Sequence, residues 1–174
     1  YSTSTGRAYI FYNDGSIPTT AGSADVTITG NATLDSFGYA MAAGDLNTDG
    51  RTDLVVGAYG YSSSTGRAYI FYNDGSIPTT AATADVTITG NATGDSFGVS
   101  LTTGDLDTSS TPALTVAATG YTSSTGRAYI FYNDGSIPTT AGTADVTLTG
   151  EATSDSYGTA LAVGDLNADG KSDL

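Results

Sequence analysis

The chain has 174 residues with 18 acidic and 5 basic side chains, a formal net charge of −13, and neither His nor Cys. That balance argues against nucleic-acid and anionic-membrane partners, and no run approaches the roughly 18 apolar residues of a membrane helix. The lack of His and Cys removes disulfides, thiolate metal sites, the commonest general base and the commonest nucleophile–base pairs. With 23 Gly and Thr, Ser, Ala and Tyr abundant, the composition favours strands and turns over helices. The N-terminal YSTSTGRAYI is no signal peptide, so the chain reads as soluble and either processed or cut from something longer.

A sixty-residue unit is written nearly three times: YSTSTGRAYIFYNDGSIPTT at 1–20 returns at 61–80 and 121–140 with one or two changes. The units are 1–60, 61–120 and 121–174, together one repeat domain. FGYAMAAGDL at 37–46 is a small-residue strand for a crowded place where backbones come close. DLVVGAYG at 53–60 is short, apolar and fit for burial. GRAYIFYN at 66–73 sets Ala68, Ile70 and Tyr72 against Tyr69 and Phe71, so both faces are apolar and the strand should be sandwiched. DVTITG at 85–90 alternates as a half-exposed outer strand does. Asn-Asp-Gly at 13–15, 73–75 and 133–135 and the recurring Pro18, Pro78 and Pro138 mark the connections, and Asp35, Asp95 and Asp155 recur as turn holders.

Four antiparallel strands per unit with two apolar faces point to an all-β fold, a β-propeller of four-stranded blades. A β-solenoid is the alternative, but its repeats are usually shorter, at roughly 20–30 residues. Complete blades fall at approximately 37–90 and 97–150, flanked by two outer strands at the N-terminus and one inner strand at the C-terminus. A propeller closes with about four blades or more, so three units form an incomplete ring. Open strand edges lead us to expect self-association, or a longer array of the same repeat.

In DLNTDGRTD at 45–53, oxygen-bearing side chains stand at loop positions 1, 3, 5 and 9 (Asp45, Asn47, Asp49 and Asp53), Gly50 occupies the sharp turn, and the carbonyl of Arg51 falls at position 7. DLNADGKSD repeats this with Asp165, Asn167, Asp169, the Lys171 carbonyl and Asp173. An oxygen-only set suits Ca²⁺, with Mg²⁺ retaining more of its own water; clustered carboxylates repel one another without a cation, which weighs against a plain turn. An EF-hand is excluded because position 12 is Val56 in a strand-like run. The middle copy DLDTSSTPA keeps Asp105 and Asp107 but has Ser109, Ser110 and Ala113 where the others have Asp, Gly and Asp, which predicts a weak or empty site.

Phe37-Gly38, the small-residue strand, the DxNxDGxxDL loop, Gly57-Ala58-Tyr59 and GRAYIFY resemble FG-GAP repeats, the blade units of integrin α-subunit propellers and of bacterial surface proteins. Phe97-Gly98 and Tyr157-Gly158 continue the first element, while Ala117-Ala118-Thr119 departs from the second. The resemblance implies a propeller with Ca²⁺ in the two loops named above. It also implies an extracellular, non-catalytic role in adhesion or in binding a protein or glycan, with calcium-stiffened self-assembly as the structural alternative. It assigns no ligand-recognition residues. Asn31-Ala32-Thr33 and Asn91-Ala92-Thr93 match a glycosylation sequon common by chance, and the repeated Tyr12, Tyr72 and Tyr132 read as blade packing.

Overall fold

A computed structural model describes residues 5–107 and 109–174. Thr108 of the altered loop and the opening residues 1–4 lie outside the described residues. Among the described residues ten strands form three antiparallel sheets. The first pairs β1 (Arg7–Ile10) with β2 (Val26–Thr29). The second runs β3 (Met41–Gly44), β4 (Asp53–Ala58), β5 (Arg67–Phe71) and β6 (Val86–Thr89) in that spatial order. The third repeats it with β7 (Phe97–Gly104), β8 (Ala113–Ala118), β9 (Arg127–Phe131) and β10 (Val146–Thr149). The fold is therefore all-β and built of four-stranded blades, and the sheets do not close into a ring.

The two-residue period of a strand explains how the sheets stack. In β5, Ala68 and Ile70 enter the core shared with the third sheet, alongside Val55, Phe97, Leu114 and Phe131. Tyr69 and Phe71 face the other way, into a core with Ala8, Ile28, Phe37 and Val56 of the first and second sheets. Both faces of the strand are sandwiched, as its pattern predicts. Phe37 meets Tyr69 and Phe71 edge-on at 5.4 and 6.3 Å, and sixty residues later Phe97 meets Tyr129 and Phe131 at 5.5 and 6.5 Å. Backbone bridges link successive sheets with the same period: Gly6 to Phe37, Gly66 to Phe97, Gly126 to Tyr157, and Thr29 to Thr80, Thr89 to Thr140.

Close backbone approach is seen at the small-residue stretch and at its neighbour: a Cβ on Gly38 would overlap the Arg7 carbonyl oxygen, and one on Gly57 of β4 would overlap the Gly98 carbonyl oxygen. The Thr103 hydroxyl donates to the Ala43 carbonyl at 2.6 Å, tying β7 to β3. Only Met41–Gly44 of the predicted 37–46 strand is extended, whereas β7 continues through Phe97–Gly104 by way of a bulge between Phe97 and Ser100.

The predicted inner strand at the C-terminus is not formed among the described residues. Residues 157–164 make single bridges, Gly126 to Tyr157 and Gly164 to Asp173, rather than a ladder. The physical reason is pairing: β3 and β7 are held by β4 and β8, and of the third counterpart only Asp173 and Leu174 are present.

The connection from β4 to β5 contains a feature with no sequence signal. Ser62, Ser63 and Ser64 all adopt left-handed backbone, with φ of 48°, 56° and 61°, and Thr122, Ser123 and Ser124 repeat it at 43°, 57° and 61°. Such conformations cost about 1–2 kcal/mol per non-glycine residue. Hydrogen bonds between connections offset this: the Ser63 and Ser64 carbonyls accept from Gly94 and Ser96 N–H at 3.2 and 2.7 Å, and Ser123 and Ser124 accept from Ser154 and Ser156 at 3.3 and 2.7 Å.

Candidate cation loops and the buried turn carboxylates

The 45–53 loop joins β3 to β4 and is shaped by its own carboxylates. Asp45 accepts from the N–H of Asp49 at 3.1 Å and of Gly50 at 2.9 Å, one through each oxygen. The Asn47 side-chain oxygen also accepts from Asp49 N–H at 3.1 Å, and Asp49 accepts from Arg51 N–H at 2.8 Å. Gly50 takes φ 84°, the left-handed turn for which a glycine is suited. The 165–173 loop repeats these bonds: Asp165 accepts from Asp169 and Gly170 at 3.1 and 2.8 Å, Asn167 from Asp169 at 2.9 Å, and Asp169 from Lys171 at 2.9 Å. The Gly170 and Asp169 N–H groups hold the Asp165 carboxyl below its ordinary value, the Gly170 bond contributing most.

The middle loop keeps the wrap without the full donor set. Asp105 accepts from Ser110 N–H at 3.0 Å and Asp107 from Ser109 N–H at 2.9 Å. Ser110 takes φ 66° where the other loops have glycine. The Ser109 hydroxyl, then its N–H, lowers the Asp107 carboxyl. Thr111 donates to the Asn133 carbonyl at 3.2 Å, replacing the bond by which Arg51 reaches the Asn73 carbonyl at 3.3 Å.

Asp53 stands apart from the other loop acids. It is only 1% exposed, and its two oxygens accept from Leu46 N–H and Asn73 N–H, each at 2.8 Å. It pins the start of the cation loop to the turn that follows β5, a structural bond the sequence did not reveal because Asn73 reads only as a turn residue. Asp173 keeps the first of these bonds, accepting from Leu166 N–H at 2.8 Å. Among the described residues no three Asp or Glu side chains converge as a ready-formed metal cluster. The donor set still fits a hard cation: carboxylate, amide and carbonyl oxygens only, on a loop whose N–H groups fold inward to fix the carboxylates.

A second set of acids serves turns. Asp35 and Asp95 are 5% and 7% exposed, and their backbone carbonyls accept from Gly60 and Gly120 N–H at 3.1 and 2.9 Å. In the third unit the exposed Asp155 accepts from Ala152 N–H at 2.6 Å. Burial raises the Asp35 carboxyl against the opposing charge of Arg67 and an Ala32 hydrogen bond, and raises Asp95 against an Ala92 hydrogen bond and Arg127. A raised native value means the folded state holds its proton more tightly than the unfolded chain does. The stability each contributes is therefore full below the ordinary value of 3.8 and declines as pH climbs through the raised one. We expect Asp95→Asn, which leaves Arg127 and Tyr129 in place, to gain on the parent in urea midpoint as pH rises above 3.8. A mutant-minus-parent difference that is flat with pH would contradict this.

The FG-GAP repeat family model matches residues 37–71, which hold the cation loop, β3, β4 and β5. The chain is 33% identical over 153 residues to phosphatidylinositol-glycan-specific phospholipase D of Rattus norvegicus, covering 79% of this chain and 18% of that protein. It is 30% identical over 153 residues to the Homo sapiens protein of the same name, with the same coverage. Integrin alpha-7 of Homo sapiens is 34% identical over 153 residues, covering 84% of this chain and 12% of the integrin. The chain thus spans less than a fifth of the length of these relatives.

Proposed function

The chain carries FG-GAP repeats, and from that premise we propose that it is a non-catalytic, calcium-stabilised propeller segment of a secreted or cell-surface protein, serving adhesion or the binding of a protein or glycan. The observation that carries this reading is the recurrence of one hydrogen-bonded, all-oxygen loop at 45–53 and at 165–173. Asp45, Asn47, Asp49, the Arg51 carbonyl and Asp53 would hold the first ion, with Asp165, Asn167, Asp169, the Lys171 carbonyl and Asp173 holding the second. A bound Ca²⁺ would neutralise the carboxylates and fix the β3–β4 connection, and affinities of extracellular modules match millimolar calcium. A binding role accords with a chain that lacks His and Cys, although one set of relatives is named as a phospholipase. Calorimetric titration with Ca²⁺ tests the reading: two ions per chain are expected, falling to one in Asp49→Ala and in Asp169→Ala. No uptake at millimolar calcium would overturn it.

Self-association is a second reading, favoured by unequal burial of equivalent residues. Leu46 is 1% exposed and its third-unit counterpart Leu166 is 81% exposed; Ile28 and Ile88 are fully buried while Leu148 is exposed. A second copy stacked by the same repeat relation would cover that apolar surface, as heterologous contacts do in rings and filaments. Light scattering in calcium should then give a mass above the 17.4 kDa of one chain. A monomer at every concentration tested would exclude it.

A further inference from the structure

The three units are nearly identical, so the places where one of them departs are informative. In the first sixty residues Leu34, Tyr39 and Tyr59 stand where the second unit has Gly94, Val99 and Thr119, and the third unit has Ser154 and Thr159 at the first two positions. These departures gather in space. Tyr39 and Tyr59 pack edge-on with ring centroids 4.6 Å apart, and Tyr39 and Leu34 are 61% and 68% exposed. Tyr59 and Leu34 line an open cleft of about 580 Å³ whose other walls are Thr33, Asp35, Ser36 and the left-handed Ser62–Ser64 turn. Large exposed apolar groups confined to one copy of a repeat are not needed for packing that the other copies achieve without them.

At the back of this cleft Asp35, nineteen-twentieths buried, has an Oδ2 with no hydrogen-bond partner. A buried acceptor left unpaired is costly, and a ligand hydroxyl would satisfy it. Charge narrows the ligand. The Arg67 guanidinium acts on Asp35 and would oppose a second cation, while Asp35 and the chain's net charge of −13 oppose an anion. A neutral molecule rich in hydroxyls, with a C–H face to lie on an aromatic ring, meets the hydroxyl-bearing walls, the unpaired carboxylate oxygen and the Tyr39–Tyr59 pair together.

We propose that the cleft between the Thr33–Ser36 turn and the Ser62–Ser64 turn is a binding site for a neutral saccharide, with Asp35 accepting a sugar hydroxyl and Tyr39 and Tyr59 supplying the stacking surface. This rests on the reading of the chain as a binding module and names its ligand class. The corresponding turns of the next unit, with Val99 and Thr119, lack the aromatic surface and serve as an internal control.

The test uses the full chain in millimolar calcium on an array of neutral and sialylated oligosaccharides, followed by calorimetric titration with the best free oligosaccharide. Binding to neutral oligosaccharides is expected. Tyr39→Val and Tyr59→Thr, which install residues the second unit already tolerates, should weaken it by about tenfold or more each. Asp35→Asn should also weaken it, and Asp95→Asn should leave it unchanged. No binding, preference for sialylated chains, or equal affinity of the Tyr39→Val and Tyr59→Thr variants would overturn the site. Calcium uptake measured on the same samples separates the two proposals: a chain that takes up calcium yet binds no saccharide loses this site alone, and one that binds saccharide without taking up calcium loses the cation reading alone.

Discussion

Removing calcium with EDTA should lower the melting temperature of the chain by about 5–10 °C, and the loss should come mainly from the first loop. An ion present at about a hundred times its dissociation constant stabilises the folded state by about 2.7 kcal/mol. For a chain of this size each kcal/mol moves the melting point by roughly 2–4 °C. The two loops are not equivalent in what they hold. The first joins two strands of a complete sheet, buries Leu46 in the shared core, and is bolted through Asp53 to the turn after β5. Freeing it leaves Asp45 and Asp49 uncompensated beside the edge of that core. The third loop joins residues that make only single bridges, and its Leu166 is exposed. Asp49→Ala should therefore abolish most of the calcium-dependent shift, while Asp169→Ala should leave it largely intact and instead raise amide exchange within 165–173. Superimposable melting curves in calcium and EDTA would remove the cation from the account altogether.

What the sequence revealed and what it hid follow from the range of the interactions involved. The strand order within a unit was legible because period-two patterning is local: Ala68 and Ile70 against Tyr69 and Phe71 already state that two neighbours must cover the strand. The loop was legible because its shape comes from bonds between residues two to five apart, such as Asp45 to Gly50. The missing C-terminal ladder was not, since residues 157–164 keep the small-residue character of β7 and lack a strand lying across from them. The Ser62–Ser64 turn was hidden for a related reason. Serine has no preference for left-handed backbone, and the conformation persists through carbonyls that accept from Gly94 and Ser96 in the connection leading into β7. Asp53 combined both cases: its place in the loop motif was plain, and its bond to Asn73 N–H across 20 residues was not.

Substituting equivalent aromatics in two units should give very different losses, and the contrast measures how much of the stability lies between sheets. Phe97 is fully buried, edge-on to Tyr129 and Phe131, in the core shared by the second and third sheets. Phe97→Ala removes a large side chain from a packed site and should cost about 3–5 kcal/mol, a melting shift on the order of 10 °C. Tyr157 occupies the same place one unit on, bridged through its backbone to Gly126 as Phe97 is to Gly66, but 38% of it remains exposed. Tyr157→Ala should cost clearly less, about 1–2 kcal/mol, since the exposed part of the ring leaves less transfer energy to lose. Urea denaturation of both variants reads the difference directly. Equal losses would mean that the third sheet's outer face is covered in solution as fully as the inner ones, and repeating the experiment across a range of chain concentrations would then tell whether a second copy supplies the cover. A large loss for Phe97→Ala that is independent of concentration, beside a small one for Tyr157→Ala, would place the stabilising contacts within the chain, at the interface where one unit's aromatic edge meets the strand of its neighbour.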